Sequence, residues 1–363
     1  MKLKTINIFF ISILVLLLSG CDAVSKKSEI TKISDVVVMP HFSCYSEEGF
    51  LCNNNEILSY LDYKTGKSVV LCNKPNCSHQ PYSSGNPDPY CDAAIPFDTL
   101  YHVLLYGRTL YAMTTDFFTT TIYQKEIMTD HWEKLLDIPY GYCDGLKVIA
   151  SNQKLYYTAS LMEAIEGRAS LRSRPMLMEV DLEKGTCQIL TDISGDTPII
   201  NDISGQYLYY NVYGENFGES VSYRINLSDG TVEQLFILSD QKYYLGACGN
   251  NFYYMENHIL YSSDNENPAT RLYESDYEYL SGVVAEEGAY IIESDSMNNS
   301  TGYKYLDFIT GDIIEISSLV EHETIFDVTD QYLIIWRDNS ILALDQQDLL
   351  EGKRTVTASY EMQ

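Results

Sequence analysis

The feature of this sequence that most constrains its fold is a tyrosine-rich strand pattern that returns about every 45 residues. In these units an apolar strand follows a short polar run, and in four of them a later strand ends in a tight turn that contains Gly. Such turns end in Gly66, Gly185, Gly230 and Gly311. Gly supplies the positive φ that tight hairpin turns require. The pattern therefore predicts successive hairpins, with almost no stretch of helical period.

The units number seven, and each holds about four short alternating strands. Their approximate bounds are 36–72, 98–138, 143–193, 198–238, 243–274, 279–317 and 324–359. Because a lone four-stranded sheet cannot bury both of its faces, several such sheets must pack together to form a core. We therefore predict an all-β chain that forms a β-propeller of seven four-stranded blades, with six to eight as alternative counts. A pair of β-sandwiches is the competing architecture. Residues 36–40 are predicted to close the ring by adding to the last unit.

The first residues predict where the protein is located. A short basic head precedes an apolar run from Ile6 to Leu18, and the run ends in Ser19-Gly20-Cys21. The run is shorter than the ~20 residues that span a bilayer. The segment resembles the lipobox of bacterial lipoproteins, in which the Cys receives the lipid and the preceding residues are removed. The resemblance implies a signal peptide at 1–20, lipidation of Cys21, a flexible tether over 21–35 and a single propeller domain over 36–363.

The charge balance narrows the class of partners. The chain has 51 acidic and 24 basic residues, a formal net charge of −27. A surface this negative repels phosphate groups, whose binding depends on Lys and Arg. We therefore expect no nucleic-acid partner, and contact with the membrane only through the lipid on Cys21. We expect a monomer anchored to the extracytoplasmic face of the bacterial cell membrane.

One compact group of candidate metal ligands lies between the first two units. Cys72, Cys77, His79 and Cys91 fall within an insertion over 72–96. Three thiols and an imidazole form a tetrahedral ligand set for one Zn²⁺, and a site closed in this way is structural rather than catalytic. A disulfide of Cys91 with Cys72 or Cys77 is the alternative, since export favours disulfides, and a segment with neither is the third. This segment and the lipobox together resemble uncharacterised Gram-positive bacterial β-propeller lipoproteins.

The remaining cysteines are predicted to have packing roles. Cys44 and Cys52 flank a short polar turn, at a separation that suits a cross-strand disulfide or a plain contact. Cys143, Cys187 and Cys248 stand alone in strand contexts, which is typical of small buried hydrophobic residues.

The longer connections are the candidate ligand-binding surface. Blade strands are antiparallel, so successive connections leave opposite ends of a blade. The long ones are predicted to lie between second and third strands and between blades, and functional residues concentrate on such loops. These connections are Thr115–Thr120, Ser160–Pro175, Gly214–Ser220, Glu293–Gly302 and Cys72–Pro96. Their candidate ligand-binding residues are Arg168, Arg172 and Arg174, which suit anionic groups, and Phe117, Phe118, Tyr213 and Phe217, which suit stacking on sugar rings.

The sequence predicts a binding module for an extracellular glycan or protein, and no residue is assigned a catalytic role. The chain contains no G-x-S-x-G, P-loop or G-x-G-x-x-G motif. A polysaccharide-acting lyase or hydrolase on a propeller scaffold is one alternative, and a scaffold for envelope assembly is another. The scarcity of His, six in all, counts against the enzyme.

Overall fold

The computed structural model describes residues 36–39, 43–54, 56–81, 91–97, 100–116, 118–142, 147–164, 171–193, 197–214, 219–277, 279–296, 299–320 and 323–361. Within these ranges the chain forms thirty strands and one short helix. No helix in the described part of the chain is long and apolar enough to cross a membrane.

The strands form seven four-stranded antiparallel blades in a ring, which confirms the predicted seven-bladed β-propeller. Blade 1 comprises β2 (Ser43–Ser46), β3 (Gly49–Asn54), β4 (Ile57–Asp62) and β5 (Ser68–Val70). Blade 2 comprises β6 (Leu100–Tyr106), β7 (Thr109–Thr115), β8 (Thr120–Glu126) and β9 (Glu133–Ile138). Blade 3 comprises β11 (Val148–Ser151), β12 (Lys154–Ala164), β13 (Leu171–Asp181) and β14 (Thr186–Asp192), and the two-residue β10 (Gly141–Tyr142) pairs with β12.

The remaining four blades repeat the same order. Blade 4 comprises β15 (Pro198–Ser204), β16 (Tyr207–Val212), β17 (Ser220–Asn226) and β18 (Val232–Leu238). Blade 5 comprises β19 (Lys242–Cys248), β20 (Asn251–Glu256), β21 (Ile259–Ser263) and β22 (Thr270–Glu274). Blade 6 comprises β23 (Tyr279–Val284), β24 (Gly288–Ser296), β25 (Asn299–Asp307) and β26 (Ile313–Glu315). Blade 7 comprises β27 (Thr324–Val328), β28 (Tyr332–Arg337), β29 (Ser340–Asp345) and β30 (Val356–Glu361), with α1 (Gln346–Leu350) between its last two strands.

The remaining strand, β1 (Val36–Met39), does not close the ring as predicted. It pairs with β2 on one edge and with β11 on the other, so it joins the innermost strands of blades 1 and 3. Blade 7 is complete with four strands of its own, because its outer strand β30 comes from the end of the chain. The prediction that 36–40 adds to the last blade is therefore wrong.

Packing between blades 7 and 1 takes the place of a shared closing strand. Tyr45 meets Phe326 edge to face at 5.5 Å between ring centroids, and Tyr63 meets Tyr332 at 5.6 Å. The Tyr45 hydroxyl also donates a hydrogen bond to the carboxylate of Asp327. These contacts belong to a hydrophobic cluster that both blades build. The ring is thus held at its junction by side chains rather than by a backbone ladder.

The turn glycines have the conformation that the sequence predicts. Gly66, Gly185, Gly230 and Gly311 have φ between 62° and 76°. Gly66 also lies against blade 7, where a Cβ atom would come within 2.5 Å of the Thr357 carbonyl oxygen. At that position Gly satisfies both the turn and the close approach of the two blades.

The long connections between strands are predicted to lie at one end of the blades, and this prediction is only partly right. Most of Ser160–Pro175 belongs to β12 and β13, which remain paired as far as Ala164 and Leu171. Most of Glu293–Gly302 likewise belongs to β24 and β25. At the opposite end of the blades, long connections over 264–269 and 346–355 join third and fourth strands. The connection between blades 1 and 2, which carries the cysteines, is as long as predicted.

We expect Phe50→Ala to lower the free energy of unfolding by about 3–5 kcal/mol, because it removes a buried ring from the junction of blades 1 and 7. Phe50 is 1% exposed and lies 6.4 Å from the ring of Tyr360. Urea unfolding followed by tryptophan fluorescence measures the change. Val69→Ala is the control in the same blade, since Val69 is 50% exposed. Equal effects of the two substitutions would contradict the role of this packing in ring closure.

Candidate metal centre and central channel

Cys72, Cys77, His79 and Cys91 come together as the sequence predicts. Their ligand atoms all lie within 4.8 Å of one another. His79 Nδ1 is 3.4 Å from Cys91 Sγ. A tetrahedral Zn²⁺ with Zn–S bonds of about 2.3 Å separates its ligands by about 3.8 Å, so small side-chain adjustments complete the site. This group of residues could hold a metal ion.

Local backbone structure explains how the first three ligands reach one point. Cys72 is the second residue after β5. The Cys77 N–H donates to the Lys74 carbonyl over 3.4 Å, which closes a turn around Pro75. Asn76 and His79 have φ of 58° and 50°, so the chain reverses twice within a few residues. Positive φ is unusual for residues other than Gly, and here it folds the chain back at the cluster.

The fourth ligand is fixed to blade 1 through the backbone. Cys91 begins a tight turn, closed by the Ala94 N–H donating to the Cys91 carbonyl over 3.1 Å. The next residues pair with blade 1, where the Leu58 N–H donates to the Ala93 carbonyl over 2.9 Å. The Ile95 N–H donates to the Glu56 carbonyl over 3.0 Å. The cluster thus connects the end of the outermost strand of blade 1 with the start of β4.

Lys74 and the buried Asp92 of the same connection, together with Lys125 of blade 2, surround the cluster. Asp92, 4% exposed, accepts a hydrogen bond from the Asn73 N–H, and its Oδ1 lies 3.2 Å from Lys74 Nζ. Lys125, also 4% exposed, donates to the carbonyl oxygens of Asp92 and Thr129. Its Nζ lies 4.9 Å from the centre of the Trp132 ring. A buried ammonium beside the cluster opposes the net negative charge of three thiolates, one imidazole and a divalent ion.

The thiol pKa values differ within the cluster. Burial alone would raise the pKa of Cys72, but hydrogen bonds from the backbone N–H groups of Lys74 and Asp92 outweigh it, so that this pKa is lowered. Burial and the neighbouring thiols raise the pKa of Cys91 to about 12. Two thiolates side by side repel each other, and a bound cation would remove that repulsion. Metal binding at this cluster would therefore displace the proton from Cys91.

Of the other cysteines, Cys44 and Cys52 are buried, whereas Cys187 and Cys248 are not buried as predicted. Cys44 and Cys52 are buried free thiols on adjacent strands, and Cys44 pairs with Leu51 rather than with Cys52. Burial raises the pKa of Cys44 to about 12. Cys187 and Cys248 are free and only partly buried. Cys143 lies outside the described residues.

The structure describes only some of the residues predicted to carry the lipid or to bind ligand. Cys21, Arg168, Phe117 and Phe217 lie outside the described residues, and for Arg172 only the backbone, in β13, is described. Arg174 Nη1 is 3.1 Å from Glu163 Oε1 across the extended hairpin of blade 3, so its charge has a partner. Phe118 and Tyr213 are 57% and 49% exposed. They lie in the connections between the second and third strands of blades 2 and 4, with blade 3 between them.

The sequence analysis missed a cavity of about 570 Å³ at the axis of the ring. Its wall comes from the first strands of blades 1, 4, 5, 6 and 7, together with Lys147 just before blade 3. Three carboxylates stand in this wall: Glu47, Asp202 and Asp327. We call this cavity the central channel.

Asp202 and Asp327 occupy equivalent positions in blades 4 and 7. Each follows a β-bulge in the first strand, where the register shifts between Ile200 and Asp202 and between Ile325 and Asp327. Each Oδ1 accepts the backbone N–H of the next residue, over 2.8 Å from Ile203 and 2.7 Å from Val328. Because a bulge changes the direction of a side chain relative to the regular strand, it accounts for acidic residues in the channel wall.

The channel carboxylates are only weakly compensated. Burial raises the pKa of Asp202 to about 6, with Lys147 opposing the shift and Asp327 adding to it. Burial also raises the pKa of Glu47 to about 7, although the Asp330 N–H donates to its Oε2 over 2.7 Å. Lys147 Nζ donates to the Asn201 carbonyl over 2.5 Å. The channel therefore gathers negative charge without enough positive charge to balance it.

We expect Asp202→Asn to raise the free energy of unfolding at pH 8 by up to about 3 kcal/mol. A carboxyl whose pKa is raised on folding costs stability as the pH rises above its unfolded value, and the full cost is present above its folded value, about 6. The amide carries no such cost. Urea unfolding at pH 8 and pH 4 measures it, and the gain should disappear at pH 4. Asp312→Asn, at an exposed position, should leave stability nearly unchanged. A loss of stability in Asp202→Asn at pH 8 would contradict this account.

The sequence matches no known family model and no curated protein. Solved structures share the fold at low identity. A Mycobacterium tuberculosis puromycin-hydrolyzing peptidase is 10% identical, with a TM-score of 0.56 over 90% of this chain and 53% of the peptidase. A prolyl endopeptidase is 11% identical, with a TM-score of 0.58 over 91% of this chain and 50% of the enzyme. Porphyromonas gingivalis dipeptidyl peptidase 4 is 12% identical, with a TM-score of 0.51 over 90% and 59%. This chain spans about half the length of these enzymes, and the likeness establishes the propeller fold alone.

Proposed function

We propose that this protein is a lipid-anchored, extracytoplasmic binding module that holds its ligand in the central channel. The observation that carries this proposal is a cavity of about 570 Å³ with walls from five different blades. Ligand sites are concave and few per protein, and residues from separate parts of the sequence converge on them. The extracellular glycan or protein expected from the sequence remains the predicted class of partner. The anchor rests on the lipobox that ends at Cys21.

We further propose that Cys72, Cys77, His79 and Cys91 hold one structural Zn²⁺. When bound, the ion would supply a cross-link between the long connection and blade 1. The four side chains fill a tetrahedral coordination sphere and leave no position for a reactive water. The spacing of the ligand atoms and the buried ammonium of Lys125 support this assignment over a disulfide.

Catalysis is not part of the proposal. The polysaccharide-acting enzyme and the envelope assembly scaffold remain predictions, and no contact within the described ranges favours either one. The likeness to peptidases concerns the fold, and their activities belong to those proteins.

We expect Cys21→Ala to prevent lipid attachment, because the thiol is the group that would receive the lipid. Full-length protein expressed in a Gram-positive host would be labelled with an alkyne fatty acid, and membrane and soluble fractions would be compared. The wild type should carry the label in the membrane fraction, whereas the variant should carry none. Cys187→Ala is the matched control and should be labelled normally. Label on the Cys21→Ala variant would refute the anchor.

We expect one zinc per chain in full-length protein purified anaerobically in detergent. Cys77→Ser and His79→Ala should each lose the metal, because three remaining ligands hold Zn²⁺ less tightly than four. Elemental analysis and native mass spectrometry measure the occupancy. Cys187→Ser is the control, since Cys187 lies in blade 3 away from the cluster, and it should keep its zinc. A metal-free chain whose mass is lower by two hydrogens would show a disulfide in place of zinc.

A further inference from the structure

We propose that the central channel binds a small organic dication, a molecule with two ammonium groups joined by an apolar chain, between the carboxylates of Glu47, Asp202 and Asp327. This inference rests on the proposed binding function, and it puts a small organic cation in the channel in place of the glycan or protein that the sequence predicts.

The charge of the channel wall favours a cationic ligand. Three carboxylates and one lysine stand in the wall. With all four groups ionised the channel carries two uncompensated negative charges. Buried like charges are costly unless a partner of opposite charge is present. A dication would neutralise the channel, whereas a neutral or anionic ligand would leave or increase the imbalance.

The hydrogen bonds of the two aspartates leave room for further donors. Asp202 accepts from the Ile203 N–H at Oδ1 and from the Ala247 N–H, over 3.2 Å, at Oδ2. Asp327 accepts from the Val328 N–H at Oδ1 and from the Tyr45 hydroxyl at Oδ2. A carboxylate oxygen accepts two hydrogen bonds, so each of these oxygens can accept one more. The protein thus fixes both carboxylates in place and leaves acceptor positions that suit ammonium N–H groups.

One residue of the wall has a buried hydroxyl, packed between blades 4 and 5 beside Tyr209. Tyr244 lines the channel, and its hydroxyl oxygen is buried with no hydrogen-bond partner among the described residues. The Asp202 carboxylate is close enough to contribute to the raised pKa of Tyr244, which burial mainly causes. Buried hydroxyls are usually paired, and an unpaired one costs free energy.

The rest of the wall distinguishes an organic cation from a metal ion. Val283, Val284 and Phe326 line the same cavity. A hard cation such as Ca²⁺ takes six to eight oxygen ligands and gains nothing from apolar walls. An alkyl chain between two ammonium groups buries apolar surface against these side chains, and aromatic rings attract the charged ends. The cavity has room for such a molecule together with ordered water.

Asp327 contributes to the junction of blades 7 and 1 through Tyr45, but the ionised forms of Glu47 and Asp202 cost stability. Burial raises the pKa values of Glu47 and Asp202, so their ionised forms destabilise the folded protein at neutral pH. Residues that cost stability are typical of binding sites, where function opposes stability. A purely structural role for Asp202 predicts the reverse, namely that its removal destabilises the protein.

Isothermal titration calorimetry on the full-length protein in detergent at pH 8 tests the proposal. The probe is 1,5-diaminopentane, a dication at this pH. Its matched controls are 1,5-pentanediol, which is neutral, glutarate, which is a dianion of the same length, and Ca²⁺. We expect 1,5-diaminopentane to bind and the other three not to bind. The Asp202→Asn variant should bind the diamine about tenfold more weakly or worse while being more stable to urea at pH 8.

Asp312→Asn is the matched control variant, because Asp312 is exposed in an outer turn of blade 6, and it should bind the diamine like the wild type. Binding of Ca²⁺ in place of the diamine would overturn the organic dication. Binding of pentanediol or glutarate alone would also overturn it while leaving the channel as a ligand site. Binding of none of these compounds would count against both the dication and the channel as the site of the proposed binding function. Unchanged affinity in Asp202→Asn would place the diamine elsewhere on the protein.

Discussion

The structure depends on each blade burying both of its faces against its two neighbours. A four-stranded sheet has two faces, and only a closed ring covers both faces of every sheet. Large tyrosine rings fill much of the space between blades, as Tyr209, Tyr290 and Tyr63 show, each with 0% exposure. Tyr is suited to this position because its ring has a large apolar area and favours strands. No strand is shared between the first and last blades. The propeller is therefore closed between blades 7 and 1 by aromatic side chains that pack against each other, and by a hydrogen bond from the Tyr45 hydroxyl to the Asp327 carboxylate.

That same junction helps to shape the channel. Tyr45 lies in the hydrophobic cluster that closes the ring and also in the wall of the central channel. Its hydroxyl fixes Asp327, so the packing that closes the ring also orients one of the channel carboxylates. The strand β1 joins the innermost strands of blades 1 and 3. Blades 4 to 7 and blade 1 therefore supply the strands of the channel wall, and the acidic groups lie on that side of the axis.

The sequence was sufficient for the fold because its signal is repeated. The units share the same alternation, and four of them share the turn Gly, so the count of seven does not depend on any single unit. The Cys/His cluster was also visible, since Cys72, Cys77 and His79 are close in sequence and only Cys91 is distant.

The channel was not visible, because Asp202 and Asp327 lie far apart in sequence and resemble ordinary polar residues before a turn. A β-bulge depends on hydrogen-bond register, which composition does not reveal. Ser160–Pro175 was assigned to a loop because a hairpin that extends beyond the core is exposed on both faces and loses its alternation.

The two groups of titratable side chains differ in how their charge is balanced. Around the Cys/His cluster, the protein itself provides positive charge, with Lys125 buried beside it and Lys74 paired with Asp92. Such a site is complete once a metal is present and needs no further partner, which is typical of a structural centre. In the channel, Lys147 alone faces three carboxylates, and a wall hydroxyl lacks a partner. In natural proteins, buried charges without a partner of opposite charge occur chiefly at functional sites. The uncompensated charge of the channel, rather than the number of acidic residues on the whole chain, is therefore the reason to look for a cation there.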